Sequence, residues 1–339
     1  MIRLKDGEHI MKLGIIGSGK IVDELLSFIH ELDDIQCIHI SGTLRSQDKL
    51  KRLVQEHKFK HYSTNYDDLL NDHEIEVIYI AVPNHLHYEF AKKALEHHKH
   101  VIIEKPMTSN YQEAKELKDL AVKNQLFIFE AITNQYLSQY TYIKNHLHDL
   151  GDIKLVSLQF CQYSSRYDEF MKGHILPVFD YKKSGGALMD LQVYHIHFIV
   201  GLFGEPIDIQ YYPHIEQHID TSGVFILHYP HFQCICMAAK DKQTPSFNII
   251  QGTKGSLCIE SPVSLIQEVK LIKNDGTSDI IYAGHQHVMY EEWQSFIKIC
   301  QNHDLKQCYK MLEQSLIVNR ILTSARQKAG IIFPADHIL

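Results

Sequence analysis

Over its first third the chain alternates short apolar runs with amphipathic ones. Lys12–Ile16 reads as a strand, and Lys20–Leu32 places Ile21, Leu25, Leu26, Ile29 and Leu32 at the spacing of one helix face. The alternation continues through a strand at Ile35–Ile40, a helix at Asp48–His57, a strand at Glu76–Val82 and a helix at His87–His97. A strand at His100–Ile103, a helix at Asn110–Asn124 and a strand at Leu126–Phe129 complete it. Strands separated by helices with short links predict a parallel, doubly wound sheet, and right-handed crossovers fix most of its topology.

After about Asn134 the pattern changes. A helix at Tyr140–Leu150 ends at Gly151. Strand-like runs follow at Ile153–Cys161, Ile207–Tyr212, Gly223–Tyr229, Gln233–Ala239, Phe247–Gly252, Gly255–Ile259 and Val269–Lys273. Pro, Gly, Asn and Asp separate these runs, not helices, which predicts antiparallel pairing. One helical segment, Gly186–Phe203, interrupts them, and Tyr290–Lys328 reads as two helices. The expected fold class is therefore α/β followed by α+β. A lead-in over 1–10 precedes a doubly wound domain over 11–133, and a domain over 134–339 carries a large, mostly antiparallel sheet.

Composition narrows the class. A chain of 339 residues, 45% hydrophobic and 22% charged, is globular and long enough for two cores. The net charge of −7, with no Lys/Arg-rich block, argues against nucleic acid as a partner. Seven cysteines without a CxxC pair do not make a disulfide framework and fit a reducing compartment. The 24 histidines lack HExxH or Cys/His spacing, so no metal site is expected. No apolar run is expected to approach a membrane span, and the first residues lack the apolar core of a signal peptide. A cytoplasmic protein without membrane contact is the expectation.

Two places carry chemistry. The first strand runs into Gly17-Ser18-Gly19-Lys20-Ile21-Val22, a turn that lets backbone approach a pyrophosphate at a helix N-terminus, as in a Rossmann domain. Val22 stands where that fingerprint expects Gly or Ala, which predicts a slightly displaced helix. The second strand ends in Ile38-His39-Ile40-Ser41-Gly42-Thr43-Leu44-Arg45-Ser46, with no carboxylate for an NAD ribose. Arg45 and the hydroxyls suit a 2′-phosphate, which leans the choice between NAD and NADP toward NADP. The second place is the carboxyl edge of the next strands, where Pro83-Asn84-His85-Leu86-His87 and Glu104-Lys105-Pro106 fall. An ammonium there stabilises a developing alkoxide and helps move its proton.

On these residues, together with ALEHHKHVIIEKP and GGALMDLQVY, the chain closely resembles the glucose–fructose oxidoreductase/inositol dehydrogenase (Gfo/Idh/MocA) family from Met11 onward. The resemblance implies that Lys105 is the active-site lysine, and that Glu104, Asn84 and His87 line the nicotinamide and its ribose. It implies that Gly185–Asp190 opens a substrate-facing helix and that Tyr194, four residues after Asp190, exchanges the proton. Helical spacing agrees, since Asp190, Tyr194 and His197 fall at i, i+4 and i+7; His197 is expected to pack in the core. A phenol beside an ammonium has a lowered pKa, so Lys105 is expected to activate Tyr194 and bind the same oxygen. Asp190 is expected to orient the substrate or the lysine. Gln192, where relatives have Gly, and Gln135, where many have Arg, depart from the pattern.

The expected function is reversible hydride transfer between NAD or NADP and a hydroxyl- or carbonyl-bearing carbon of a sugar, inositol, dihydrodiol or related polyol. Arg166 and Tyr167 are candidate substrate contacts. A homodimer or homotetramer is expected, because a large antiparallel sheet leaves one face to be covered. Two alternatives stand beside this: a non-catalytic dinucleotide or ligand sensor of the same fold, and a reductase of C=C or C=N bonds. Lys105, Asp190 and Tyr194 together favour an alcohol/carbonyl enzyme.

Overall fold

The computed structural model of the chain describes residues 10–337. Most of the expected lead-in over 1–10 thus lies outside the described residues. The chain forms two compact units. Among the described residues, the first comprises 10–108, Gln112–Ala131 and Trp293–Glu313; the second comprises Ser109–Tyr111, Ile132–Glu292 and 314–337. The expected boundary after 133 adjoins the crossing at Ile132. The return of Trp293–Glu313 to the first unit leaves no trace in the periodicity.

The first unit is built from β1 (Met11–Ile16), α1 (Lys20–Phe28), β2 (Ile35–Ser41), α2 (Gln47–His57), β3 (His61–Ser63), α3 (Tyr66–Leu70), β4 (Val77–Ile80), α4 (His87–Glu96), β5 (His100–Glu104), α5 (Tyr111–Asn124) and β6 (Ile128–Ala131). Its sheet is parallel throughout, in the order β3-β2-β1-β4-β5-β6. Every residue of β4 and β6 is buried, as expected of parallel strands covered on both faces. The three-residue β3 and five-residue α3 escaped prediction because neither is long enough to establish a period. β6 starts two residues later than expected. Trp293 meets Tyr79 edge-on at 5.1 Å between ring centroids, and Phe296 packs on Phe129 at 4.8 Å, so the returning segment completes this core.

The second unit contains α6 (Ser138–His146), β7 (Ile153–Cys161), α7 (Tyr167–Met171), α8 (Val193–Phe203), β8 (Asp208–Glu216), β9 (Ile219–His228), β10 (Gln233–Ala239), β11 (Asn248–Gly252), β12 (Gly255–Ile259), β13 (Glu268–Lys273) and β14 (Ser278–Tyr282). Its eight strands run in the order β14-β13-β12-β11-β7-β10-β9-β8, antiparallel except for the central β7–β10 pair. Alternation governs burial. Val156 and Leu158 of β7 and Cys234 and Cys236 of β10 point into the core with Val193, Ile196 and Ile199 of α8. Leu155, Ile235, Met237, Val224, Ile226 and Ile249 occupy the other face and remain partly exposed. Near the C-terminus, α9 (Tyr290–Gln301) and α10 (Leu305–Lys328) form the two expected helices.

One expectation is corrected. Tyr181–Phe203 is long and apolar enough by composition to cross a membrane, but 72% of its most apolar window is buried, because it is the core helix of the second unit.

That unit is also pinned by a buried ion pair. The Arg326 guanidinium bonds both oxygens of Asp336 at 2.5 and 2.6 Å, donates to the Ser109 carbonyl at 2.9 Å and lies 4.0 Å from the Phe333 ring centroid. The side chains are 1% and 6% exposed. Burial alone would raise the Asp336 carboxyl, but the bonds and charge of Arg326 outweigh this and hold it below the usual carboxylate range. A depressed carboxylate adds stability above its unfolded pKa and loses it as pH falls through the folded one. Asp336→Asn should therefore destabilise by about 3–5 kcal/mol at neutral pH. The thermal-melt gap from the parent should narrow on acidification; a gap independent of pH would refute the assignment.

Candidate active site

In the first unit, β1 hands the chain to α1 through Gly17-Ser18-Gly19. Gly17 has φ +123°, and a Cβ there would strike the Ala81 carbonyl, so only glycine lets β1 and β4 close up at this edge. Gly19 is the N-cap of α1, makes no side-chain cap and has nothing within 4 Å of where a Cβ would sit. Uncapped amide groups at a helix start with open space beside them fit a dinucleotide pyrophosphate. Lys20 and Ile21 begin α1, and Val22 is fully buried in the core. Lys49 donates to the Ser18 carbonyl at 2.7 Å and pairs with Asp23 at 2.7 Å. At the end of β2, Thr43 and Ser46 cap one another around a short turn that leaves Arg45 exposed.

At the ends of β4 and β5, Pro83 is exposed and Asn84 and Lys105 are half-buried. His87 is 1% exposed, with Nδ1 2.9 Å from the Pro106 carbonyl and Nε2 2.9 Å from the Val82 carbonyl. Burial lowers its pKa, and a neutral ring donates to one of these carbonyls at a time. His87 thus staples the PNHLH turn to the EKP turn. Glu104 accepts from the Tyr79 hydroxyl. Burial pushes its carboxyl up to about 7 against the opposing bond from Tyr79 and charge of Lys105. It is tied beneath the edge, a placement its position before the lysine did not reveal.

In the second unit the site is built on the segment leading into α8. Gly186 has φ +104°, and a Cβ there would collide with the Asp220 carboxylate. Asp220, 1% exposed, accepts from the Leu188 amide at 2.6 Å and the Tyr211 hydroxyl at 2.7 Å. Burial raises its pKa to about 6, countered by these two donors and by the charge of Lys240. Leu188–Gln192 then winds as a π-helical turn, a wide winding frequent at functional sites. Between Ser184 and Val200 only Asp190 and Tyr194 escape full burial. The expected third member of that face, His197, is 1% exposed.

The rest of this helix is fastened from behind. Asn134 donates to the Tyr194 carbonyl and Gln135 to the His197 carbonyl, each at 2.8 Å. Gln192 donates to the carbonyls of Gly223 and Cys236, both at 3.2 Å, and accepts from His195 Nδ1 at 2.8 Å. Burial holds His195 down at about 3, hence neutral. The departures Gln135 and Gln192 are thus both used to hold the helix against its neighbours.

Asp190 pairs with Lys240, which follows β10 and escaped the sequence analysis. Both line a cleft of about 280 Å³ with Gln162, Ser164, Ser165 and Arg166. Tyr167 does not line it; its hydroxyl donates to Glu216 at 3.2 Å and its ring packs on Phe170 and Phe179. The Tyr194 ring lies 6.4 Å from that of Phe160. Among the described residues, no group of His, Cys, Asp and Glu side chains is arranged to hold a metal ion.

Comparison with known proteins agrees with this architecture. Residues 11–131 match the oxidoreductase family with an NAD-binding Rossmann fold, and residues 146–258 match the GFO/IDH/MocA C-terminal domain. The chain is 30% identical to scyllo-inositol 2-dehydrogenase (NADP(+)) IolU of Bacillus subtilis, over 97% of this chain and all of the relative. It is 25% identical to trans-1,2-dihydrobenzene-1,2-diol dehydrogenase of Xenopus tropicalis, over 95% of this chain and 99% of the relative. The fold matches KijD10, a 3-ketoreductase from Actinomadura kijaniata crystallised with NADP and TDP-benzene. That match has a TM-score of 0.81 at 18% identity and covers 94% and 98% of the two chains. A parallel sheet with a glycine turn at its nucleotide edge, followed by a GGALMD helix on a mostly antiparallel sheet, and matched along nearly the whole length, places the chain in the Gfo/Idh/MocA oxidoreductase family as an NAD(P)-dependent dehydrogenase.

Proposed function

We propose that this dehydrogenase interconverts a hydroxyl and a carbonyl on a small polyol, of the kind its inositol- and dihydrodiol-oxidising relatives act on, with NADP as cofactor. The observation that carries the proposal is the site helix, buried along its first turns except at Asp190 and Tyr194. An evolved core has no packing reason to expose an acid and a phenol there, whereas substrate binding and proton exchange do.

When bound, the nicotinamide supplies or accepts the hydride. Gly17, Gly19, Lys20 and Ile21 would hold the pyrophosphate, Pro83 and Asn84 would border the nicotinamide, and Arg45 would take the 2′-phosphate. Tyr194 exchanges the proton with the reacting oxygen. The Lys105 ammonium is the group suited to stabilise negative charge as it develops on a substrate oxygen. His87 and Glu104 fix the two turns that present Asn84 and Lys105. Arg166 meets the substrate, with Tyr167 bracing the wall behind it. The support for NADP is the absence of a carboxylate over 38–46, with Arg45 exposed in its place. The free thiols and the membership of a soluble enzyme family support a cytoplasmic location.

The partly exposed apolar face of the second sheet supports a homo-oligomer in which a second copy covers it. Ile235→Glu, placed on that face, should reduce the mass in sedimentation; an unchanged mass would place the interface elsewhere.

Reduction of NADP against a panel of inositols, aldoses and dihydrodiols tests the function. Lys105→Met and Tyr194→Phe should each lower kcat by about 10²–10⁴-fold while NADPH binding persists. Tight NADPH binding with no turnover of any substrate by the parent would favour the sensor. Arg45→Ala should lower kcat/KM with NADP by about tenfold or more, worth roughly 1.4 kcal/mol, and leave NAD unaffected. Equal losses with both cofactors would remove Arg45 from phosphate recognition.

A further inference from the structure

Lys240 is an ammonium where a globular protein seldom leaves one. Its side chain is 3% exposed. Its backbone N–H donates to the Thr221 carbonyl at 2.8 Å, so the strand ladder sets its position. Its Nζ lies 5.4 Å from the Phe179 ring centroid and pairs with Oδ2 of Asp190, whose side chain is 32% exposed. A buried ammonium costs several kcal/mol unless it is paired. Here the partner is a carboxylate that opens onto the cleft, so the charge of Asp190 is already fixed within its own unit.

Such a pair does one thing well. A carboxylate accepts up to about four hydrogen bonds, so one that takes an ammonium keeps capacity for ligand hydroxyls. The ammonium fixes its rotamer, which lowers the entropy lost when a hydroxyl binds. Gln162, Ser164 and Ser165 surround the pair with amide and hydroxyl groups, and a cleft of about 280 Å³ suits one small ring. Specificity of this kind is steep, because a ligand lacking the hydroxyl leaves the buried pair without a bond it could have made.

We infer that Lys240 is a positioning residue which presents Asp190 as a fixed acceptor for a non-reacting hydroxyl, so that the enzyme selects polyols over simple alcohols. This rests on the dehydrogenase function proposed above and adds the substrate feature that the second unit reads.

The test uses the full chain with Lys240→Met and Lys240→Arg, and NADPH fluorescence on each to establish folding and cofactor binding apart from turnover. The substrates are scyllo-inositol and myo-inositol, with cyclohexanol as the single-hydroxyl control. Lys240→Met should raise KM for the inositols by about tenfold or more, with kcat within roughly threefold of the parent. Its preference for inositol over cyclohexanol should collapse, and Lys240→Arg should restore both. A loss of kcat at constant KM, an equal loss on inositols and cyclohexanol, or failure of arginine to rescue would overturn the assignment. If the parent binds NADPH but oxidises neither inositol, the proposed function fails separately. The role of Lys240 is then decided by the melting shift that each inositol gives in the presence of NADPH. A shift in the parent that Lys240→Met abolishes supports it, and no shift in the parent, or one that survives the substitution, overturns it.

Discussion

The Asp220 carboxylate receives the Leu188 amide and the Tyr211 hydroxyl while almost wholly withdrawn from water. This contact sets where the site helix begins. The Leu188 amide belongs to the first turn, which has no intrahelical acceptor, so a carboxylate brought from the sheet takes the place of a local cap. Gly186 is the matching requirement on the other side, since any larger residue would displace the acid. With the start fixed, the wide turn that follows carries Asp190 outward, and the α-helical winding after it carries Tyr194 outward in turn. Asn134, Gln135 and Gln192 then keep the rod from rotating. A helix that turned by a fraction of a residue would bury the acid and bring an apolar neighbour to the surface.

The first unit solves a related problem by different means. Its candidate site residues sit on two turns at neighbouring strand ends, and turns are the mobile parts of a fold. His87 ties one to the other through the Val82 and Pro106 carbonyls, and Glu104 is anchored from below by Tyr79. Both residues were expected to line the cofactor directly. Their hydrogen bonds brace the turns that carry Asn84 and Lys105, with His87 buried and Glu104 half-buried.

Much of this was legible in the residue order. Runs such as VIYI, apolar at every position, announce a sheet covered on both faces, while VSLQF in β7 alternates and announces one with a single covered face. The GSG turn and EKP are local, so their placement at a strand edge followed from the strands. Lys240 and Asp220 were invisible for the opposite reason. Each is one charged residue at a strand end, and its partner lies 50 positions away for Lys240 and 32 for Asp220, a distance that only the tertiary fold closes. The π turn was hidden because LMDLQ satisfies α periodicity equally well. Gln192 looked like a defect in a motif until two backbone carbonyls were found waiting for its amide.

The return of Trp293–Glu313 to the first unit has a bearing on how the protein is made. Tyr79 and Phe129 leave the ribosome long before Trp293 and Phe296 exist to cover them. The first unit therefore spends about half of synthesis with an open apolar flank, and it closes only when translation is nearly complete. A ribosome that stalls within the second unit would release a sheet lacking its lid, and that fragment would be a substrate for chaperones or proteases, not a free-standing cofactor-binding module.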